Sequence, residues 1–210
     1  MKRKQTKKEE FFNSLSHGIG ALLSLAGLFV MLSLSLAKHD SYKILSSVIF
    51  GTSLILLYLF STLYHATTKE KSKKILRIFD HASIYVLIAG TYTPFCLINL
   101  RGTYGLIIVS ILWGFTFIGI SLKIFFTGKY NFVSTVIYLA MGWIAITFFK
   151  QFINTISLNG LFWVVAGGLA YTFGIIFYAL EKVPFCHVIW HFFVLCGSLC
   201  HFLAIFFYVI

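Results

Sequence analysis

Charge is scarce in this sequence. Only 11% of its 210 residues are charged and six are acidic, against about 25% charged in soluble domains. With 59% hydrophobic residues and a mean hydropathy of +0.91, the excess apolar surface has to face lipid. Proline is nearly absent, two residues against sixteen glycines, a balance that suits membrane helices, where small residues allow close packing. Cysteine is sparse as well. Cys96, Cys186, Cys196 and Cys200 include no CxxC pair, and at least three sit in apolar runs, where free cysteine behaves as a small hydrophobe. No disulfide framework is indicated. Low-complexity linkers and obvious internal repeats are missing, which disfavours an inverted-repeat transporter. A chain of this length has no room for a second folded domain.

Long apolar runs are what the chain does have. About 20 such residues cross a bilayer, and seven candidates occur: residues 19–37, 44–64, 82–100, 104–126, 132–149, 161–180 and 188–210. The third and fourth are parted only by Arg101-Gly102-Thr103, a charge and a turn former. The first run exceeds a signal-peptide core and no clean cleavage site follows it, so it reads as a span. The expected fold class is all-α, a bundle of seven transmembrane helices. Residues 1–16 form a basic cytoplasmic segment, and 17–210 form a single membrane domain.

The formal net charge is +11, but its basic residues crowd at Lys2 to Lys8 and Lys69 to Arg77 beside apolar runs. That pattern sets topology and attracts anionic headgroups at the cytoplasmic face; nucleic acid is not an expected partner. With the amino terminus inside, only Lys38, Lys43, Arg101 and Lys150 of the 17 basic residues lie outside. The positive-inside bias therefore places the N-terminus in the cytoplasm and the C-terminus outside, in a multi-pass protein of the cell (plasma) membrane.

This topology gathers chemistry at one depth. His65 ends the second span, Asp80 and His81 open the third, and His187 and His191 open the seventh, all at the inner side, where His17 joins them. His187 and His191 are one turn apart on one helix face, a spacing that can hold a metal ion. His201 faces the same interior but lies roughly 21 Å beyond His187 along the axis, too deep for a shared ion. Ser61 sits one turn from His65. Each piece has a plainer reading: packing for the HxxxH pair, an N-cap for Asp80, an interfacial ring for His65, inter-helix hydrogen bonding for His17 and His81. Their coincidence at one depth favours function, because ionisable groups within spans are costly.

Ser61-Thr-Leu-Tyr-His65, Asp80-His81 and His187-Val-Ile-Trp-His191 with His201 resemble the signature of the hemolysin III family. This is the bacterial branch of the progestin and adipoQ receptor family, related to alkaline ceramidases. Residues 16–21 and 89–95 match that branch too, and the resemblance runs from about Glu10 to the end. It implies an intramembrane Zn2+ held by His65, His187 and His191, with Asp80 acting through a water and Ser61 supporting the site. Hormone recognition does not carry over, because the long amino-terminal region of the animal receptors is missing. The expected function is a zinc-dependent hydrolase of lipid amides or esters, ceramidase-like and serving membrane-lipid homeostasis, with Asp80 and Ser61 as its catalytic residues and membrane lipid as its substrate. The alternatives are a membrane-disrupting cytolysin, a zinc-stabilised sensor or receptor without turnover, and an ion path along Thr91, Ser198 and His201. Oligomeric state and substrate identity are left open.

Overall fold

A chain in lipid has to satisfy its backbone N–H and C=O groups internally, so each apolar run folds as helix. The computed structural model describes residues 3–180 and 182–210; Lys2 of the basic segment lies outside them. Among the described residues seven helices are long and apolar enough to cross a membrane: α1 (Lys7–Ala37), α2 (Ser41–Ala66), α3 (Glu70–Asn99), α4 (Thr103–Phe126), α5 (Asn131–Ile153), α6 (Leu158–Ala179) and α7 (Cys186–Tyr208). No strand occurs among those residues. The expected all-α bundle of seven helices is observed.

The helices start earlier than hydropathy alone indicates. α1 begins at Lys7 because Thr6 caps it: its hydroxyl accepts from Glu9 N, while Glu9 Oε2 takes the Thr6 N–H at 2.9 Å. This reciprocal capping box stabilises a polar first turn that no hydropathy window detects. α3 likewise begins at Glu70, so Asp80 lies in mid-helix and is not an N-cap. The expected break between the third and fourth spans falls where it should. Gly102 there has φ 124°, in the region where L side chains are strained.

Neighbouring helices close into a ring: α1 on α2, α2 on α3, α3 on α5, α5 on α6, α6 on α7 and α7 back on α1. α4 packs on the outside of α3. The α2–α3 contact depends on Gly90, where a Cβ would meet Ser53 Oγ at 2.4 Å. α5 is interrupted, α-helical to Gly142 and then a 3₁₀ turn over Ile144–Phe148. Tyr92 of α3 compensates the break, its hydroxyl donating to the Gly142 carbonyl and accepting from Ala145 N. Outward faces carry large exposed apolar side chains such as Leu22, Phe29, Phe125 and Phe132, which in a membrane meet lipid tails.

Inside the ring lies a cavity of about 240 Å³. Every helix except α4 contributes to its wall, which is mostly apolar. It runs from Ser61, Asp80 and His187 at one end to Phe95, Phe152 and His201 towards the other.

Candidate metal centre

Two helices deliver three imidazoles to the same point, one from α2 and two from α7. α7 opens on Phe185, held in the left-handed region at φ 61°, and the Glu9 carboxylate accepts the Phe185 N–H at 2.7 Å. This contact ties the start of α1 to the first turn of α7. It places His187 in that turn and His191 one turn on, with ring centroids 4.8 Å apart. His65 arrives from the last turn of α2, its centroid 5.2 Å from His187 and 5.0 Å from His191. The three rings make a nearly equilateral triangle, and one nitrogen from each lies within 4.8 Å of the others. Ligand atoms of a filled tetrahedral site with metal–nitrogen distances near 2.0–2.1 Å stand about 3.4 Å apart. The three nitrogens are thus at most about 1.4 Å farther apart than a bound ion would hold them.

The outer nitrogens of two rings are already engaged. His65 Nδ1 lies 2.7 Å from Glu10 Oε2, and Lys73 Nζ donates to Glu10 Oε1 at 2.6 Å. His191 Nδ1 lies 3.2 Å from the Asn13 carbonyl oxygen and 3.4 Å from Ser16 Oγ. The other nitrogen of His65, Nε2, is buried and meets no hydrogen-bond partner. Metal-ligating histidines commonly donate their second ring N–H to a carboxylate or carbonyl, which fixes tautomer and orientation. His65, with an unpartnered Nε2 opposite a carboxylate-held Nδ1, has the arrangement that metal-ligating histidines commonly show. The donor set fits zinc.

Other polar residues complete this end. His17 of α1 stacks on His191 with centroids 3.6 Å apart and 11° between planes. Ser61 is buried and Asp80 half-buried; both line the cavity at the histidine end, with His81. His81 is fixed by its own chain, Nδ1 lying 2.8 Å from the Arg77 carbonyl oxygen, while its carbonyl accepts from Tyr138 of α5. Asp80 belongs to the cavity wall and not to the three-histidine group, a position suited to acting through an intervening water. Cys186 is buried beside His187 but is not part of the group. His39 and Asp40 lie in the α1–α2 loop, where Asp40 caps α2.

A model of the family described as "Haemolysin-III related" matches residues 5–202. The chain belongs to the haemolysin-III family. Over 205 residues it is 45% identical to "Hemolysin-3 homolog" of Bacillus subtilis (strain 168), covering 98% of this chain and 96% of that protein. It is 43% identical to "Hemolysin-3" of Bacillus cereus, covering 98% and 94%. A more distant relative, human "Monocyte to macrophage differentiation factor", is 27% identical across 98% of this chain and 87% of its own length. This haemolysin-III family chain is thus a multi-pass membrane protein with three histidines grouped so that they could hold a metal ion.

Glu9, Glu10 and Asn13 were not among the residues singled out in the sequence. Two signals there mark them: the Thr6-x-x-Glu9 pattern of a capping box, and the spacing Glu10, Asn13, His17, which places all three on one helix face.

Proposed function

We propose that this protein is a zinc-dependent hydrolase of lipid amides or esters, oriented with the three-histidine end towards the cytoplasm of the cell membrane. The observation that carries this reading is the site's position. His187, His191, Asp80 and Ser61 line one end of an apolar cavity inside the bundle, with His65 grouped beside the two histidines, so a chain held in the cavity would present its head group to them. Three protein ligands leave a tetrahedral position open, as in catalytic rather than structural zinc sites. His65, His187 and His191 would hold the ion, which when bound supplies Lewis acidity and a nucleophile at neutral pH. Asp80 accepts the proton released in the attack and returns it to the leaving amine or alcohol. Ser61 donates a hydrogen bond to the oxyanion developing on the scissile carbonyl. The apolar wall holds the acyl chain and keeps bulk water from the reacting atoms.

The basic residues at the same end support this orientation. Lys73 pairs with Glu10, and the remaining basic residues of the Lys69 to Arg77 segment are at least partly exposed, available to cytoplasmic-leaflet headgroups.

The test is release of labelled fatty acid from a panel of lipid amides and esters by zinc-loaded protein, wild type against Asp80→Asn. Loss of about 10²- to 10⁴-fold in the variant, with zinc retained, supports the reading. No release by wild type across the panel refutes it for those substrates. Membrane lysis is the second reading, favoured by the name the Bacillus cereus relative carries. Leakage of dye-loaded vesicles, unchanged by Asp80→Asn, would support lysis over hydrolysis.

A further inference from the structure

The outer half of the cavity holds a polar group that the proposed chemistry does not use. His201 lies on α7 roughly 21 Å past His187 and 15 Å past His191 along the axis. It lines the cavity, is only 8% exposed, and its Nδ1 is buried without a hydrogen-bond partner. Other polar side chains along this stretch are matched within the protein. Thr91 Oγ donates to the Leu87 carbonyl, the Tyr92 hydroxyl to Gly142, and Thr172 Oγ receives the Trp143 indole N–H.

The protein builds a seat for this imidazole. Its ring stacks on Tyr171, centroids 5.6 Å apart and planes at 22°. The Tyr171 hydroxyl is in turn fixed by Ser198 Oγ at 2.8 Å. Gly167 makes room for the stack, since a Cβ there would come within 2.7 Å of His201 Nε2. Gly197 makes room for Tyr171 in the same way, at 2.7 Å from its ring. Packing alone does not call for this, because a phenyl ring would fill the seat with no polar atom to satisfy. A buried polar atom without a partner is costly, and within a bilayer outside water cannot relieve it. The missing partner has to come from whatever occupies the cavity.

We propose that His201 is a recognition subsite for a hydroxyl carried on the distal half of an acyl chain whose head lies at the three-histidine end. The occupant class is a hydroxylated fatty acyl lipid. A hydroxyl both donates and accepts, so it pairs with Nδ1 in either imidazole tautomer. A plain chain leaves Nδ1 unmatched. The proposal rests on the reading that the cavity holds a lipid chain, and it adds which chains the cavity prefers.

The test is displacement of a fluorescent fatty acid from the zinc-loaded full chain by unlabelled acids of equal length. One acid is unsubstituted, one carries a hydroxyl in the distal half, and one carries it near the carboxylate. Wild type is expected to favour the distally hydroxylated acid by about five- to tenfold over both others, the worth of one matched hydrogen bond. His201→Phe keeps the stacked ring but removes both nitrogens, so it is expected to abolish the preference. It should leave binding of the unsubstituted acid and the zinc content unchanged. His201→Gln, which restores a hydrogen-bonding group, is expected to recover part of the preference. Equal binding of the three acids by wild type, or a preference that survives His201→Phe, overturns this subsite alone. Failure of all three to displace the probe, or of the probe to bind, overturns the lipid reading and the subsite with it. Should His201→Phe not fold, Gly167→Ala, which presses on the His201 ring, replaces it: an unaltered preference would count against the proposal.

Discussion

Removing the Glu10 carboxylate should loosen the metal without touching any ligand. Glu10 reaches His65 Nδ1 at 2.7 Å and Lys73 Nζ at 2.6 Å, with about a quarter of its side chain exposed. Loss of such an orienting partner typically lowers metal affinity 10- to 100-fold, or about 1.4–2.8 kcal/mol. Glu10→Ala leaves His65 Nδ1 with no acceptor in its buried position, so its effect belongs at the upper end, about 100-fold. Glu10→Gln keeps an acceptor oxygen but loses the negative charge, so about tenfold is expected. Lys73→Met breaks only a partly exposed ion pair, which is worth at most about 1 kcal/mol; zinc affinity should shift less than about fivefold. The assay is competition for zinc between the purified protein and a chromogenic chelator, which reads affinity independently of any turnover. Glu10→Ala binding zinc as tightly as wild type would refute the claim that this carboxylate orients His65. A larger effect for Lys73→Met than for Glu10→Ala would refute it as well.

Glu9→Ala removes the capping box, the Arg3 partner and the acceptor of the Phe185 N–H; the same carboxylate raises the Arg3 guanidinium above its ordinary value through their hydrogen bond. A loss of about 2 kcal/mol is expected, read as a lower unfolding midpoint in detergent, and an unchanged midpoint would count against this tie between α1 and α7. Gly90→Ala drives a methyl group into Ser53 Oγ at 2.4 Å and should destabilise by about 1–3 kcal/mol. Ser53→Ala in the same chain should relieve part of that loss, and full additivity of the two would deny the contact. Stripping zinc with a strong chelator should lower the unfolding midpoint, because an ion bound only by the folded state stabilises it. An identical midpoint with and without zinc would argue against a site inside the bundle.

Much of the site was legible because its residues obey two simple regularities. His187 and His191 show their shared face through helical spacing, and His65 and Asp80 show their common depth through the count of spans. The N-cap alternative for Asp80 failed for a definable reason. Residues 70–81 are too charged for a hydropathy window, yet they form the first turns of α3. The same blindness hid Glu9, Glu10 and Asn13, which precede the first apolar run but lie on its helix. Hydropathy locates lipid, whereas the start of α1 is set by its capping box. The cavity was not legible at all, because its wall depends on α5 and α6 closing a ring that leaves α4 outside. That closure rests on tertiary contacts such as Tyr138 to the His81 carbonyl and Tyr92 across the break in α5, which leave no periodic mark on the sequence.

The central claim is that His65, His187 and His191 together hold zinc. Elemental analysis of the purified protein, wild type beside His65→Ala, His187→Ala and His191→Ala, tests it most directly. The account predicts a single equivalent of zinc per chain in wild type and a large loss in each variant that still purifies as a folded protein. Zinc at the wild-type level in all three folded variants would contradict it, as would a folded wild type that neither retains nor rebinds zinc.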